Sequence, residues 1–182
     1  SLQIPGRRII EEDESQDGRK LVHRLEGIRQ VRKNDVVVFN YPYSEDKEKM
    51  ILSTKLFFCK RCVALPGDTH QWFARESLDK VGDVLLIDSC NYNHYRHCIE
   101  YETGQSLKLE MGLVYLADTL LTEYHFKHDY YFMQGDNANY SYDSRNWGLL
   151  PDDFILGVGQ FIWFSKALET GQIRWSRIFK KL

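Results

Sequence analysis

The chain has 182 residues, a formal charge of −2, 43% apolar and 14% aromatic residues, and basic and acidic side chains that are mixed rather than blocked. That length buries a core without staples, and the composition is that of an ordinary globular protein with an aromatic share suited to sheets. No electrostatic footprint for nucleic acid is present, and the longest apolar run, Phe154 to Phe164, falls far short of the ~20 residues that span a bilayer as a helix.

In chain order, residues 1–30 are polar and broken, with an acidic cluster at Glu11 to Glu14 and a Gln16-Asp17-Gly18 turn signal, and predict a solvated loop or short hairpin. The N-terminus has no apolar segment of the signal-peptide kind. Val36 to Phe39, launched by Asn34-Asp35 and closed by Pro42, predicts a strand buried on both faces. A charged loop, Ser44 to Lys49, leads to a longer strand system over Met50 to Leu65. Within it Phe57 to Ala64 alternates: Phe58, Lys60, Cys62 and Ala64 share one face, and Phe57, Cys59, Arg61 and Val63 the other. Pro66-Gly67 predicts a type II turn, with Asp68 placed to bond its backbone. Val84 to Ile87 repeats the Asp-then-apolar entry of a strand, and Tyr92, Tyr95 and Ile99 mark one face of a short helix over Asn91 to Glu102. Leu113 to Leu116 and Thr119 to Leu121, split by Ala117-Asp118, predict a hairpin. Tyr130 to Met133 predicts a strand feeding the Gly135-Asp136-Asn137 turn; Phe154 to Phe164 and Ile173 to Trp175 follow, separated by a Thr170-Gly171 turn.

Lys60 is the awkward residue. Desolvation penalises an ammonium, and a neutral amine is a usable general base; a lysine on an apolar strand face can equally snorkel past the sheet edge or pair with an acid. The strand alone leaves both readings open.

Other constellations carry less. Cys59 and Cys62 form a C-x-x-C without a second pair, and strand geometry sends them to opposite faces, so two separate buried cysteines are expected. Cys90, His94, His97 and Cys98 would share a stripe on a helix beginning at Cys90, offering a zinc set or, in an oxidising compartment, a Cys90 to Cys98 disulfide; the spacing is not that of a zinc finger and no metal is expected. No G-x-S-x-G context marks a serine for a Ser-His-Asp hydrolase. Asp136 to Asp143 lacks the ligands and glycine of a calcium loop and reads as a polar turn.

Two segments taken together change the balance. KRCVALPGD at 60–68 and GDNANYSYDSRNWGLLP at 135–151 resemble the type I signal peptidase family, whose members carry K-R-x-x-G-L-P-G-D and G-D-N-x-x-x-S-x-D-S-R-x-W-G-x-x-P. Asn34 to Phe39 with Pro42 is similar to the family's G-D-V-V-V-F strand, and IRWSRIFKKL at 173–182 to the C-terminus of members from the Bacteroides group. Ala64 stands where the family has glycine.

The resemblance implies a mostly β fold: a coiled-sheet or barrel-like catalytic core from 31–68 and 130–182, with an inserted smaller α+β subdomain at 69–129. It implies a Ser-Lys dyad endopeptidase that removes signal peptides from exported preproteins, with Lys60 the general base and Ser141 orienting its amine. Asp143, Arg145 and Arg61 are expected as a supporting ion-pair network, and Phe57, Phe58 and Cys59 as the strand edge that takes an extended substrate with small side chains before the cut. No cofactor is implied. The family's nucleophile lies in an S-M-x-P-T motif after a membrane anchor; Ser1-Leu2-Gln3-Ile4-Pro5 has its proline one place late and no threonine. The expectation is therefore a chain cut downstream of its catalytic serine and inactive as it stands, soluble by itself, belonging to a protein of the bacterial inner membrane with this part on the periplasmic side. The alternative is a non-catalytic peptide-binding or scaffold domain of the same fold.

Overall fold

The computed structural model describes residues 8–12, 20–24, 29–43, 49–51, 56–69, 80–167 and 170–182, the first two stretches by backbone alone. Strands dominate, as expected. Strands β1 (Arg8–Glu12) and β2 (Lys20–Arg24) pair antiparallel with Arg8 opposite Arg24, so the N-terminal region contains the hairpin; the Gln16-Asp17-Gly18 turn lies outside the described residues.

The principal sheet has five strands in the order β11-β10-β4-β3-β12. They are β3 (Val36–Asn40), β4 (Phe57–Ala64), β10 (Tyr130–Gln134), β11 (Leu150–Pro151) and β12 (Ile155–Val158), and all neighbouring pairs are antiparallel. Asn34, with φ 72°, turns the chain into β3, a conformation open to glycine and tolerated by asparagine, which explains how Asn34 fills the position of the family's glycine. Val37 and Phe39 are fully buried, whereas Val36 and Val38 are only half-buried, so β3 has one core face rather than two. Strand β4 starts at Phe57, not Met50; Met50 instead bridges Tyr43, and 44–48 and 52–55 lie outside the described residues. Its alternation is realised: Cys62 and Ala64 are buried on the Lys60 face, while Phe57 and Cys59 are exposed on the other. Cys59 is therefore not the buried cysteine expected of it. The type II turn forms as read, with Gly67 at φ 84°, Asp68 N donating to Leu65 O at 2.9 Å and Leu65 N donating to the Asp68 carboxylate at 3.1 Å.

Between β4 and β10 lie smaller sheets, β5 (Val84–Leu86) with β9 (Glu123–His125), and β6 (Leu107–Glu110), β7 (Leu113–Leu116) and β8 (Thr119–Leu120) in order. The expected hairpin is β7-β8, and the expected helix is α1 (Tyr92–Thr103), burying Tyr92, Tyr95, Cys98 and Ile99. Because α1 begins after its N-cap Asn91, Cys90 sits exposed in the preceding turn and off the helical stripe; all four cysteines are free thiols. Past β12 the chain is irregular: Phe161 bridges Lys181, Lys166 bridges Ile173, and a 3-10 turn occupies Trp175–Arg177 where a strand was expected to end.

Glu102, on α1, ties this helix to the principal sheet. Its carboxylate accepts from the hydroxyls of Tyr124 at 2.7 Å and Tyr130 at 2.8 Å and from the backbone N–H groups of Lys127 and His128. Both tyrosines are buried, so removing the acceptor strands their hydroxyls. Glu102→Leu is expected to lower unfolding free energy by about 2–4 kcal/mol, read from denaturant midpoints at unchanged slope.

Candidate active site

The 135–149 segment crosses the Lys60 face of the sheet. Strand β10 ends at Gln134, opposite Arg61, and the chain turns away at Gly135. A 3-10 turn, Ala138–Tyr140, brings Ser141 above β4, and helix α2 (Ser144–Trp147) follows. The segment is pinned by aromatic and backbone contacts: Trp147 lies 5.9 Å from Phe39, the Tyr43 hydroxyl donates to Trp147 O at 2.6 Å, and Met133 N donates to Ser144 Oγ at 2.9 Å.

Lys60 Nζ donates to Ser141 Oγ at 2.8 Å, and among the described residues no carboxylate stands within ion-pair distance of the amine. The Phe58 ring centroid is 5.5 Å away. Lys60 therefore does not extend alone into solvent, and among the described residues it does not pair with an acid. Gly135 makes this approach possible. A Cβ there would lie 2.0 Å from Ser141 Oγ and 3.5 Å from Lys60 Nζ, so glycine is demanded by space and not by backbone conformation.

Asp143 organises the segment. Its side chain is fully buried and accepts from Arg145 Nε at 2.8 Å, Arg145 Nη2 at 2.9 Å and Gly135 N at 2.9 Å; it also caps α2, with Asn146 completing a reciprocal capping box. Burial alone would push this carboxyl up, but the Arg145 guanidinium, the Gly135 N–H, the Ser141 hydroxyl and the Arg145 N–H together hold it at about 2.

The expected supporting set divides into two. Asp143 pairs with Arg145, while Arg61 makes a separate fork to Asp136, Nε to Oδ1 and Nη2 to Oδ2 both at 2.7 Å, and donates to Asn34 O at 2.7 Å. Asp136 belongs to the quoted G-D-N motif, where its place in a turn gives no sign of this partner. Arg61 projects from the face opposite Lys60, so it braces the two ends of the ladder and does not face the amine.

Phe57, Phe58 and Cys59 occupy the half of β4 that has one free edge. Strand β3 pairs along Phe57 to Arg61, but β10 reaches only Arg61, Cys62 and Ala64 on the other side, so among the described residues the outer edge of Phe57 to Lys60 is unpaired. A ladder ending beside a lysine on its inward face is a place where an extended peptide can add as a strand. Elsewhere, His128, Asp152 and Asp153 are the one group among the described residues whose ligand atoms come close enough for a metal, and His94, His97 and Cys98 do not converge so.

Residues 3–164 match the family model described as signal peptidase, peptidase S26. The chain is 26% identical to signal peptidase I of Aquifex aeolicus, over 83% of this chain and 69% of that protein. It is 25% identical to signal peptidase I of Helicobacter pylori J99, over 88% of this chain and 68% of that protein. It is 30% identical to a probable signal peptidase I-2 of Synechocystis, where it spans about half the relative's length, with 86% of this chain and 54% of that protein covered. The chain belongs to the signal peptidase family of peptidases, S26.

Two outcomes are expected. Gly135→Ala forces Ser141 away from Lys60 and should cost about 1–3 kcal/mol in denaturant unfolding, the range for overpacking a closed site. Asp143 is held below its unfolded value, so it contributes stability that is complete above about 4 and is lost as pH falls toward about 2. The stability gap between the wild type and Asp143→Asn should therefore narrow across that interval in unfolding curves recorded as a function of pH.

Proposed function

We propose that this chain is the catalytic part of a serine endopeptidase that removes signal peptides from exported preproteins. Lys60 is the general base and Ser141 the hydroxyl that orients it. The observation that carries the reading is an amine bound to a serine hydroxyl at 2.8 Å which, among the described residues, has no carboxylate within ion-pair distance and lies beside an unpaired strand edge. The Ser141 oxygen accepts from Lys60 at 2.8 Å. That arrangement turns the amine's lone pair away from Ser141 and toward an incoming hydroxyl. In the reaction Lys60 takes the proton of the attacking serine as that oxygen bonds to the scissile carbonyl carbon. It then passes the proton to the departing amine as the C–N bond breaks. The substrate lies extended on the edge of Phe57 to Cys59, with alternate side chains on the two faces.

The attacking serine in this reading lies outside residues 1–182, since no S-M-x-P-T motif is found within them. The membrane attachment and periplasmic placement of the catalytic part belong to the same proposal. Among the described residues no helix is long and apolar enough to cross a membrane. The division into a core at 31–68 and 130–182 and an insertion at 69–129 is also proposed, supported by the principal sheet, whose strands among the described residues lie within Val36–Ala64 and Tyr130–Val158.

Residues 1–182 alone are expected to leave a signal-sequence peptide uncut, and the protein extended upstream through an S-x-x-P serine is expected to cut it. Lys60→Ala in the extended protein should then lower kcat by about 10²–10⁴-fold with the fold retained by circular dichroism. Cleavage by residues 1–182 alone would refute the placing of the nucleophile. An extended protein that is folded and inert would leave the non-catalytic alternative standing.

A further inference from the structure

A cavity of about 400 Å³ lies between helix α1 and residues 142–149, with Asn93, His97, Arg145, Trp147, Tyr41 and Tyr142 in its wall. Lys60, Phe58 and Ser141 are not part of that wall. One residue of that wall, Tyr41, faces both ways, and it holds a second, Tyr142. The Tyr41 ring lies 4.9 Å from Phe58, on the Lys60 face, and 6.2 Å from the Tyr142 ring, with the two hydroxyls 3.5 Å apart. Between the amine and the cavity there is thus an aromatic row: Phe58, then Tyr41 and Tyr142. Tyr41 is 7% exposed and part of the core, whereas Tyr142 is 38% exposed and follows Ser141 directly in the chain.

We propose that Tyr142 is a specificity-determining residue: its ring is the partition that closes the catalytic face to long side chains and separates it from the cavity. This rests on the proposed peptidase reading. A strand added at Phe57 to Lys60 sends every second side chain to the Lys60 face. The side chain nearest the attacked carbonyl meets Phe58, with Tyr41 and Tyr142 behind it. Alanine fits in front of those rings, and a chain of leucine or glutamine length runs into them. Without the Tyr142 ring the same path opens into the cavity, where the Arg145 guanidinium and the Asn93 amide offer donors to a glutamine and the rings of Tyr41 and Trp147 offer apolar surface.

The test uses the upstream-extended protein and three peptides that differ only in the residue before the cut: alanine, leucine or glutamine. For the wild type, kcat/KM is expected to favour alanine. In Tyr142→Ala the leucine-to-alanine and glutamine-to-alanine ratios should each rise about 10-fold or more, the effect of relieving a few methylenes of steric exclusion. Tyr142→Phe, which keeps the ring and loses the hydroxyl, should keep the wild-type ratios. Unchanged ratios in Tyr142→Ala with the alanine peptide still cut would overturn the partition. So would a folded Tyr142→Ala protein inert toward all three peptides, since the ring would then be support for Ser141. If the wild type fails to cut even the alanine peptide, the peptidase reading itself falls.

Discussion

A single buried carboxylate holds the site together. Asp143 has no solvent exposure, and the groups that satisfy it come from Gly135 at the start of the segment and Arg145 inside α2, on either side of Ser141. Taking a carboxylate out of water is costly unless its lone pairs are all used, so the segment has few other conformations in which Asp143 can be buried. Ser141 is placed over Lys60 as a consequence. The backbone around the serine is thus fixed by the acid two residues on, and the lysine amine meets its hydroxyl at 2.8 Å.

The sheet supplies what the segment cannot. Val37 and Phe39 on β3 and Cys62 and Ala64 on β4 make a dry floor, and Trp147 and Tyr43 clamp the segment down on it. Lys60 is presented on this floor by strand alternation alone. Its neighbour Arg61, one residue on and hence on the other face, is engaged by Asp136 and Asn34. Adjacent cations in sequence thus take opposite parts: Arg61 is neutralised and braces the backbone, while Lys60 is left with a hydroxyl.

Much of this was legible in the chain. Period-two alternation placed Lys60 with Cys62 and Ala64, the Tyr92, Tyr95 and Ile99 spacing gave the face of α1, and Pro66-Gly67 gave the turn, because each is a local consequence of backbone geometry. What was not legible is set at long range. The choice of Asp136 as the partner of Arg61 spans 75 positions in sequence and depends on where β10 stops. The exposure of Cys59 follows from the position of β4's second neighbour, and the limit of β4 at Phe57 from pairing that composition does not encode. The demand for glycine at 135 is visible only once Ser141 and Lys60 are seen to meet beside it.

The end of the β10 ladder has a further meaning. A strand laid along β4 from Phe57 can advance only as far as Lys60, because at Arg61 the position is already taken by Gln134. In a sheet, a slip of one residue exchanges the two faces of every side chain. The last rung of the molecule's own sheet is therefore a stop against which a guest chain is measured, and the register of any peptide bound there is counted from within the fold.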